Sequence, residues 1–208
     1  MATYTLPGAD LARILTSALE LASAERTLPM LAGVRLIVDN GKLVAASTDR
    51  YIAGILLVTA EVPEGAADDL YLETADVKRL IAAAKANKRT PVMLELAADR
   101  ATLRTIAGDF KAGRGSQDIS PPDVLRLVRD TFARDDKPAV FGDGFSISPE
   151  VYGKLTKVAE RGEAIHLRTG AHAGKAILWT VENAYGLIMS VRLPTDRGAL
   201  TLPQWAQR

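Results

Sequence analysis

The stretch Leu187-Ile188-Met189-Ser190-Val191-Arg192-Leu193 decides how this chain is read. Alone it is one more apolar, strand-like run. It gains meaning beside two earlier segments. One is Leu31-Ala32-Gly33-Val34, with Thr48-Asp49-Arg50-Tyr51 beginning 14 residues after Val34; the other is Pro122-Asp123, with Arg126-Leu127 close behind. Outward from these three pieces, the chain divides into a unit of short strand, helix and two or three strands, and the unit occurs three times.

In the first unit Tyr4-Thr5-Leu6-Pro7 leads into a helix expected from Gly8 to Glu25, because Leu11, Ile14, Leu15, Ala18, Leu19 and Ala22 recur at three and four residues. Val34–Val38 is a strand, Asp39-Asn40-Gly41 a tight hairpin, Lys42–Ala46 the return, and Tyr51–Val62 a further strand. The second unit opens at Leu70-Tyr71-Leu72. Its helix starts at Glu73 or Thr74, shows Val77, Leu80, Ile81 and Ala84 on one face, and is ended by Pro91. Strands are expected at Val92–Leu96, Ala101–Ile106 and Phe110–Arg114. The third opens at Phe145-Ser146-Ile147. Ser148, Pro149 and Glu150 form a helix start, with Val151, Leu155 and Val158 on the buried face. Ile165–Arg168, Ala176–Val181 and Gly186–Leu193 are its strands. A period of roughly 60–70 residues is too long for a solenoid and suggests duplicated half-domains. Between the second and third units, Val124–Lys137 is charged and in part helical, and the residues after Pro194 form a loose tail.

Composition narrows the function classes. Of 208 residues, 48% are hydrophobic and 25% charged, the balance of a soluble globular chain. Absence of cysteine excludes disulfides and thiolate chemistry and fits a reducing cytoplasm. Met1-Ala2-Thr3-Tyr4 lacks the basic-then-apolar pattern of a signal peptide, and no apolar run approaches a membrane span. A net charge of +1 exerts no global pull on nucleic acid, so any such contact must come from local clustering.

The three segments, in this order and spacing, resemble the parts that build the peptide-binding groove of bacterial DNA polymerase III beta sliding clamps. The resemblance covers Thr3–Leu127, which is similar to the second domain of such a clamp, and Val140–Leu193, similar to the second half of the third. In length and layout the chain resembles the compact clamp-like proteins of phages and mobile elements. The fold implied is α+β, with helices on one face of antiparallel sheets in clamp half-modules. Residues 1–122 would form a domain of two half-modules (about 1–65 and 68–122), 123–139 a linker, 140–194 a third half-module and 195–208 a tail. By the same resemblance Leu31 lines the groove, Thr48 and Asp49 match a Thr-Asp pair, and Tyr51 stands where an aromatic or histidine is found. Ile52 replaces an arginine. Pro122, Arg126 and Leu127 match the segment that walls the groove. Leu187, Ile188, Met189, Val191 and Arg192 match the last strand, where Ser190 replaces a proline. The partners implied are double-stranded DNA and polymerases or other replication and repair proteins carrying clamp-binding peptides. Such a groove captures apolar anchors of a short peptide, each worth ~1.5–3 kcal/mol, and needs no catalytic group or cofactor.

For DNA, a clamp offers cations to phosphates without reading bases. Lys78, Lys85 and Arg89 share one side of the second helix, and Lys154, Lys157 and Arg161 one side of the third. Such a stripe taken alone is more often a solvated face. The first helix shows a mixed exposed side of Asp10, Arg13, Ser17 and Glu20. His166 and His172 lack further ligands at metal spacing and lack a nucleophile. Asp49 is expected to close a turn. Asp68-Asp69 and Asp135-Asp136 are solvated pairs, and Gly170–Gly174 lacks the phosphate-loop pattern because Ala176 follows Lys175. Trp179 belongs to a core or interface, whereas Trp205 in Leu202-Pro203-Gln204-Trp205 is either unstructured or docked in a groove. Three half-modules leave one unmatched, which exposes a sheet edge and argues for self-association or an unusual capping arrangement, without fixing a number of subunits. Two functions fit these features. One is a processivity clamp that holds DNA and recruits replication proteins. The other is a non-encircling adaptor or decoy that binds the same peptides without DNA.

Overall fold

The computed structural model describes residues 2–25, 27–39, 41–61, 69–115, 120–134, 147–169 and 176–190. The first unit comprises β1 (Ala2–Pro7), α1 (Gly8–Leu21), a 3-10 turn at Pro29–Leu31, then β2 (Gly33–Asp39), β3 (Lys42–Thr48) and β4 (Ile52–Thr59). The second has β5 (Asp69–Glu73), α2 (Thr74–Ala86), β6 (Pro91–Leu96), β7 (Arg100–Thr105) and β8 (Gly108–Gly113). A helix not belonging to the repeat, α3 (Val124–Arg134), precedes α4 (Pro149–Val158), β9 (His166–Thr169), β10 (Ile177–Val181) and β11 (Ala184–Ile188).

The strands form two antiparallel sheets, β1-β6-β7-β8 and β5-β2-β3-β4-β11-β10-β9. The first two units exchange their leading strands: β1 pairs with β6, and β5 with β2. The third unit joins the first through β4 and β11, in the register Ile52↔Ile188, Gly54↔Gly186 and Leu56↔Ala184.

Packing explains that register. Along β4 and β11, Ile52, Leu56 and Ile188 point toward the helices and are buried. Between them Gly54 and Gly186 face each other with no side chain, and the fully buried indole of Trp179 fills the space. A Cβ on Gly54 would lie 2.6 Å from both Trp179 and Leu21. The third half-module is therefore held by an aromatic plate laid over a glycine pair. The Trp179 indole N–H has no acceptor among the described residues, a polar cost set against this fit.

Three helices lie on one face of the sheets, with α1 packed against both α2 and α4. Their buried stripes (Leu11, Ile14 and Leu15; Val77 and Leu80; Val151 and Leu155) merge into one core with both sheets. The fourth corrects the expectation that all helices share a face. Val124, Leu125, Val128 and Phe132 of α3 pack instead on the outer surface of the seven-stranded sheet, against Val44, Ala46, Ala53, Ile55 and Leu187. Residues 124–134 of the segment expected to be charged and in part helical are thus an amphipathic cover; its remainder lies outside the described residues.

Several boundaries also differ. Helix α1 ends at Leu21 rather than Glu25, because the Ser23 N–H donates to Leu31 O (2.9 Å) and the Ser23 hydroxyl accepts from Glu25 N. Helix α2 ends at Ala86, five residues before Pro91, the residue expected to end it, and Pro91 opens β6 instead. Ile147 lies outside any strand; Phe145 and Ser146 fall outside the described residues. Among the described residues no helix is long and apolar enough to cross a membrane.

Candidate peptide groove and nucleic-acid face

The β3–β4 turn is closed by a set of side-chain hydrogen bonds. Asp49 Oδ1 accepts from Tyr51 N and Ile52 N, both at 2.8 Å, while the Thr48 hydroxyl donates to Ile52 O (2.8 Å) and accepts from Arg50 N. These bonds hold Arg50 in the left-handed region at φ +84°. The second Asp49 oxygen accepts from Lys154 Nζ at 2.6 Å, with side-chain exposures of 9% and 18%. Asp49 is structural, as its position in the turn implies, and its charge ties the first half-module to α4.

Around this turn the structure gathers several of the expected groove residues. Register aligns Thr48, Ala53 and Leu187 across three strands, and Met189 N donates to Tyr51 O at 2.8 Å. Leu31, Thr48 and Pro122 share a small depression with Met30, Gly33, Arg35, Tyr71, Pro121 and Val124, whose volume is only about 10 Å³. Leu187 is buried beneath α3, and Ile188 and Ile52 are buried on the opposite, helix-side face of the sheet, so the last two do not line this surface. Tyr51, Leu127 and Met189 are more than half exposed and Met30 is 38% exposed. Arg126 is exposed and pairs with Asp130 on its own helix (3.6 Å). Val191 and Arg192 lie outside the described residues, as do His172 and Trp205.

Sequence reasoning passed over the residues that brace this surface. Asp123 caps α3 by accepting from Arg126 N (3.1 Å), and its carboxylate meets Arg35 at 3.4 Å. Arg35 also grips Asp69 through Nε (2.8 Å) and a second, shorter contact; the Asp69 bond holds the guanidinium firmly protonated against the opposing effect of burial. The Tyr71 hydroxyl donates to Pro29 O at 2.6 Å. Burial, with the Glu73 charge adding to it, pushes the Tyr71 phenol up to about 12. Strand alternation places Arg35 and Tyr71 on the outer face of the sheet, and that was the available signal.

The six expected DNA-contacting cations separate into two groups. Lys78 and Lys85 of α2 are exposed and make no ion pair among the described residues; Lys88 and Arg89 are the same but lie past the end of α2 at Ala86, which corrects the expected placement of Arg89 on the helix. On α4, Lys154 points inward to Asp49, which corrects its placement on the exposed stripe. Lys157 pairs with Glu20 (3.0 Å), and Arg161, beyond the end of α4, is exposed. A shallow depression of about 350 Å³ crosses the helical face. Its floor is Ala9, Ala12 and Thr16 of α1, and Lys85, Lys88, Arg13 and Lys157 stand around it with Glu160. Small residues on α1 let cations of three helices converge, a contribution the mixed surface of α1 had concealed.

The architecture of two antiparallel sheets under a helical layer is the sliding-clamp fold. The chain is similar to the DNA polymerase III beta subunit of Pseudomonas aeruginosa, with TM-score 0.70 and 13% identity over 92% of this chain and 67% of that one. It is also similar to the beta subunit of Thermotoga maritima (TM-score 0.68, 13% identity, 94% and 66% covered) and the sliding clamp of Bacillus subtilis (0.67, 14%, 92% and 64%). The chain thus spans about two thirds of the length of these clamps. No protein-family model and no curated protein sequence matches it.

Proposed function

We propose that this chain is a non-enzymatic, sliding-clamp-like scaffold that holds double-stranded DNA on its helical face and recruits replication proteins through the β3–β4 turn and the first turn of α3. The observation that carries it is the depression on the helical face, where Lys85 of α2 and Lys88 just past its end make no ion pair among the described residues, beside Arg13 and Lys157. Cations without partners gain most from phosphate, because no internal ion pair must be broken to release them. Tyr51, Leu127 and Met189 supply exposed apolar surface for a peptide anchor.

Self-association belongs to the same proposal. At the sheet edges, β1 is bridged to Glu61, and β5 receives a bond from Gly115 N to Tyr71 O (3.0 Å). The outer sides of β8 and β9 have no strand partner among the described residues. Pairing β8 of one copy with β9 of the next would be head-to-tail, the kind of contact that closes into rings or runs on as a filament.

A mixed-sequence duplex titrated across salt concentration tests the DNA role. Binding is expected to weaken steeply with salt, and K78A/K85A/R89A should flatten the log–log slope by about one unit per cation removed. Absence of binding at low salt, or a triple variant that behaves as wild type, would overturn it. The second reading, an adaptor without DNA, is favoured by the neutralised cations of α4: Lys154 on Asp49 and Lys157 on Glu20.

A further inference from the structure

Beneath the C-terminal half of α3 the outer sheet face is not filled. A cavity of about 360 Å³ lies there, and its walls are apolar: Val44, Ile55 and Leu57 from β3 and β4, Tyr185 from β11, and Leu125, Val128 and Phe132 from α3. Phe132 and Tyr185 meet edge to face at one wall, with centroids 6.1 Å apart. The volume falls within the range of small-molecule sites, roughly 300–1,000 Å³. A cavity of ~150 Å³ accepts one benzene ring, so two fused rings fit here.

Three charged residues stand at the opening: Asp39, Lys42 and Arg129. Arg129 and Asp39 satisfy each other in a two-pronged ion pair. Lys42 is exposed and makes no ion pair among the described residues. The opening therefore has one uncommitted charge, and it is positive. Apolar walls offer water few partners, which favours an apolar guest, and Lys42 favours a guest with an anionic end.

We propose that α3 and the outer sheet face form a binding site for a small aromatic carboxylate, its rings between Leu57, Val128 and Phe132 and its carboxylate at Lys42. This site is separate from the groove region at Leu31 and Thr48 and does not depend on the clamp reading.

The test uses the full chain, with 2-naphthoate as probe and 2-naphthalenemethanol as its uncharged counterpart, followed by calorimetry or by shifts of amide resonances on β3, β4 and α3. Saturable binding of 2-naphthoate is expected, with resonance shifts at Val44, Ile55 and Val128. Lys42→Gln should weaken 2-naphthoate about five- to tenfold and leave the alcohol nearly unchanged. Leu57→Trp, which fills the cavity from a half-buried position, should abolish both, and the melting temperatures of both variants establish that they fold. No saturable binding at millimolar probe, or binding indifferent to both substitutions, would overturn the proposal. So would binding confined to peptides ending in phenylalanine, which would assign the cavity to a protein partner.

Discussion

On its inner face, the seven-stranded sheet is closed by Trp179 lying across Gly54 and Gly186, and by Lys154 reaching from α4 to a nearly buried Asp49. On its outer face the same strands carry one three-turn helix, held by its apolar stripe, the Arg129–Asp39 pair, the Asp123–Arg35 pair and one aromatic edge contact, with a cavity of about 360 Å³ beneath it. Both faces are apolar, so hydrophobicity alone does not separate them. The inner face is tightly filled at its glycine seam, whereas the outer face leaves a cavity beneath its cover. Dense packing fixes one arrangement. An underfilled interface leaves room for a guest, and for the cover to open locally without unfolding the domain.

The contrast is broken most severely at the glycine seam. A Cβ on Gly186 would press into the Ala53 carbonyl and lie 2.5 Å from the Trp179 indole. Gly186→Ala is therefore expected to cost about 3 kcal/mol, the upper end of overpacking penalties. Chemical denaturation measures it, and a cost under about 0.5 kcal/mol would show that the seam has slack. Trp179→Phe in the same background should recover only part of the loss, because the Ala53 carbonyl remains in the way.

Next comes the ion pair. Lys154→Ala leaves Asp49 charged and nearly buried, though two backbone N–H groups still serve one of its oxygens. Breaking a buried pair typically costs 3–5 kcal/mol; with the lysine side chain 18% exposed and those bonds intact, about 2 kcal/mol is expected. A double-mutant cycle with Asp49→Asn separates the pair from the turn. A coupling energy near zero would mean that Lys154 is free to meet DNA after all.

How much of this the sequence discloses depends on how local the cause is. The stripe of Leu11, Ile14 and Leu15 announces α1, and Ser148-Pro149 announces α4, whose cap is seen with Val151 N donating to the Ser148 hydroxyl. The turn-closing role of Asp49 reads correctly because its partners, Tyr51 and Ile52, lie two and three residues away. The α4 cations do not, because Lys154 finds its partner 105 positions away. A clue was present: Lys154 lies between Val151 and Val158 on the buried flank of α4, where a lysine without a partner would be costly. Helix α3 is a similar case. Val124, Leu125, Val128 and Phe132 mark an apolar stripe, but nothing nearby in the chain says which sheet face it covers. The meeting of β4 with β11 is nonlocal throughout; only the two glycines hint at it. Exposure was hardest to foresee, and it decides the groove: Ile52 and Ile188 belong to the core, and the space beside Leu31 is almost filled.

The outer face should respond least. Phe132 is half-buried at the end of α3, and its truncation to alanine removes the edge contact with Tyr185 and widens a cavity already open. Aromatic pairs contribute ~0.5–1.5 kcal/mol beyond burial, so Phe132→Ala is expected to cost about 1 kcal/mol of global stability. The more telling signal is local. Amides from Val128 to Thr131 should exchange faster by hydrogen–deuterium exchange, while those of β3 and β4 keep their protection, because the cover opens without the strands. The Gly186→Ala variant should do the reverse and lower protection across the core. If Phe132→Ala instead costs as much as Gly186→Ala, or exposes β3 and β4 together with α3, then the helix is as integral to the fold as the glycine seam. The cavity would in that case be a packing flaw the domain cannot open.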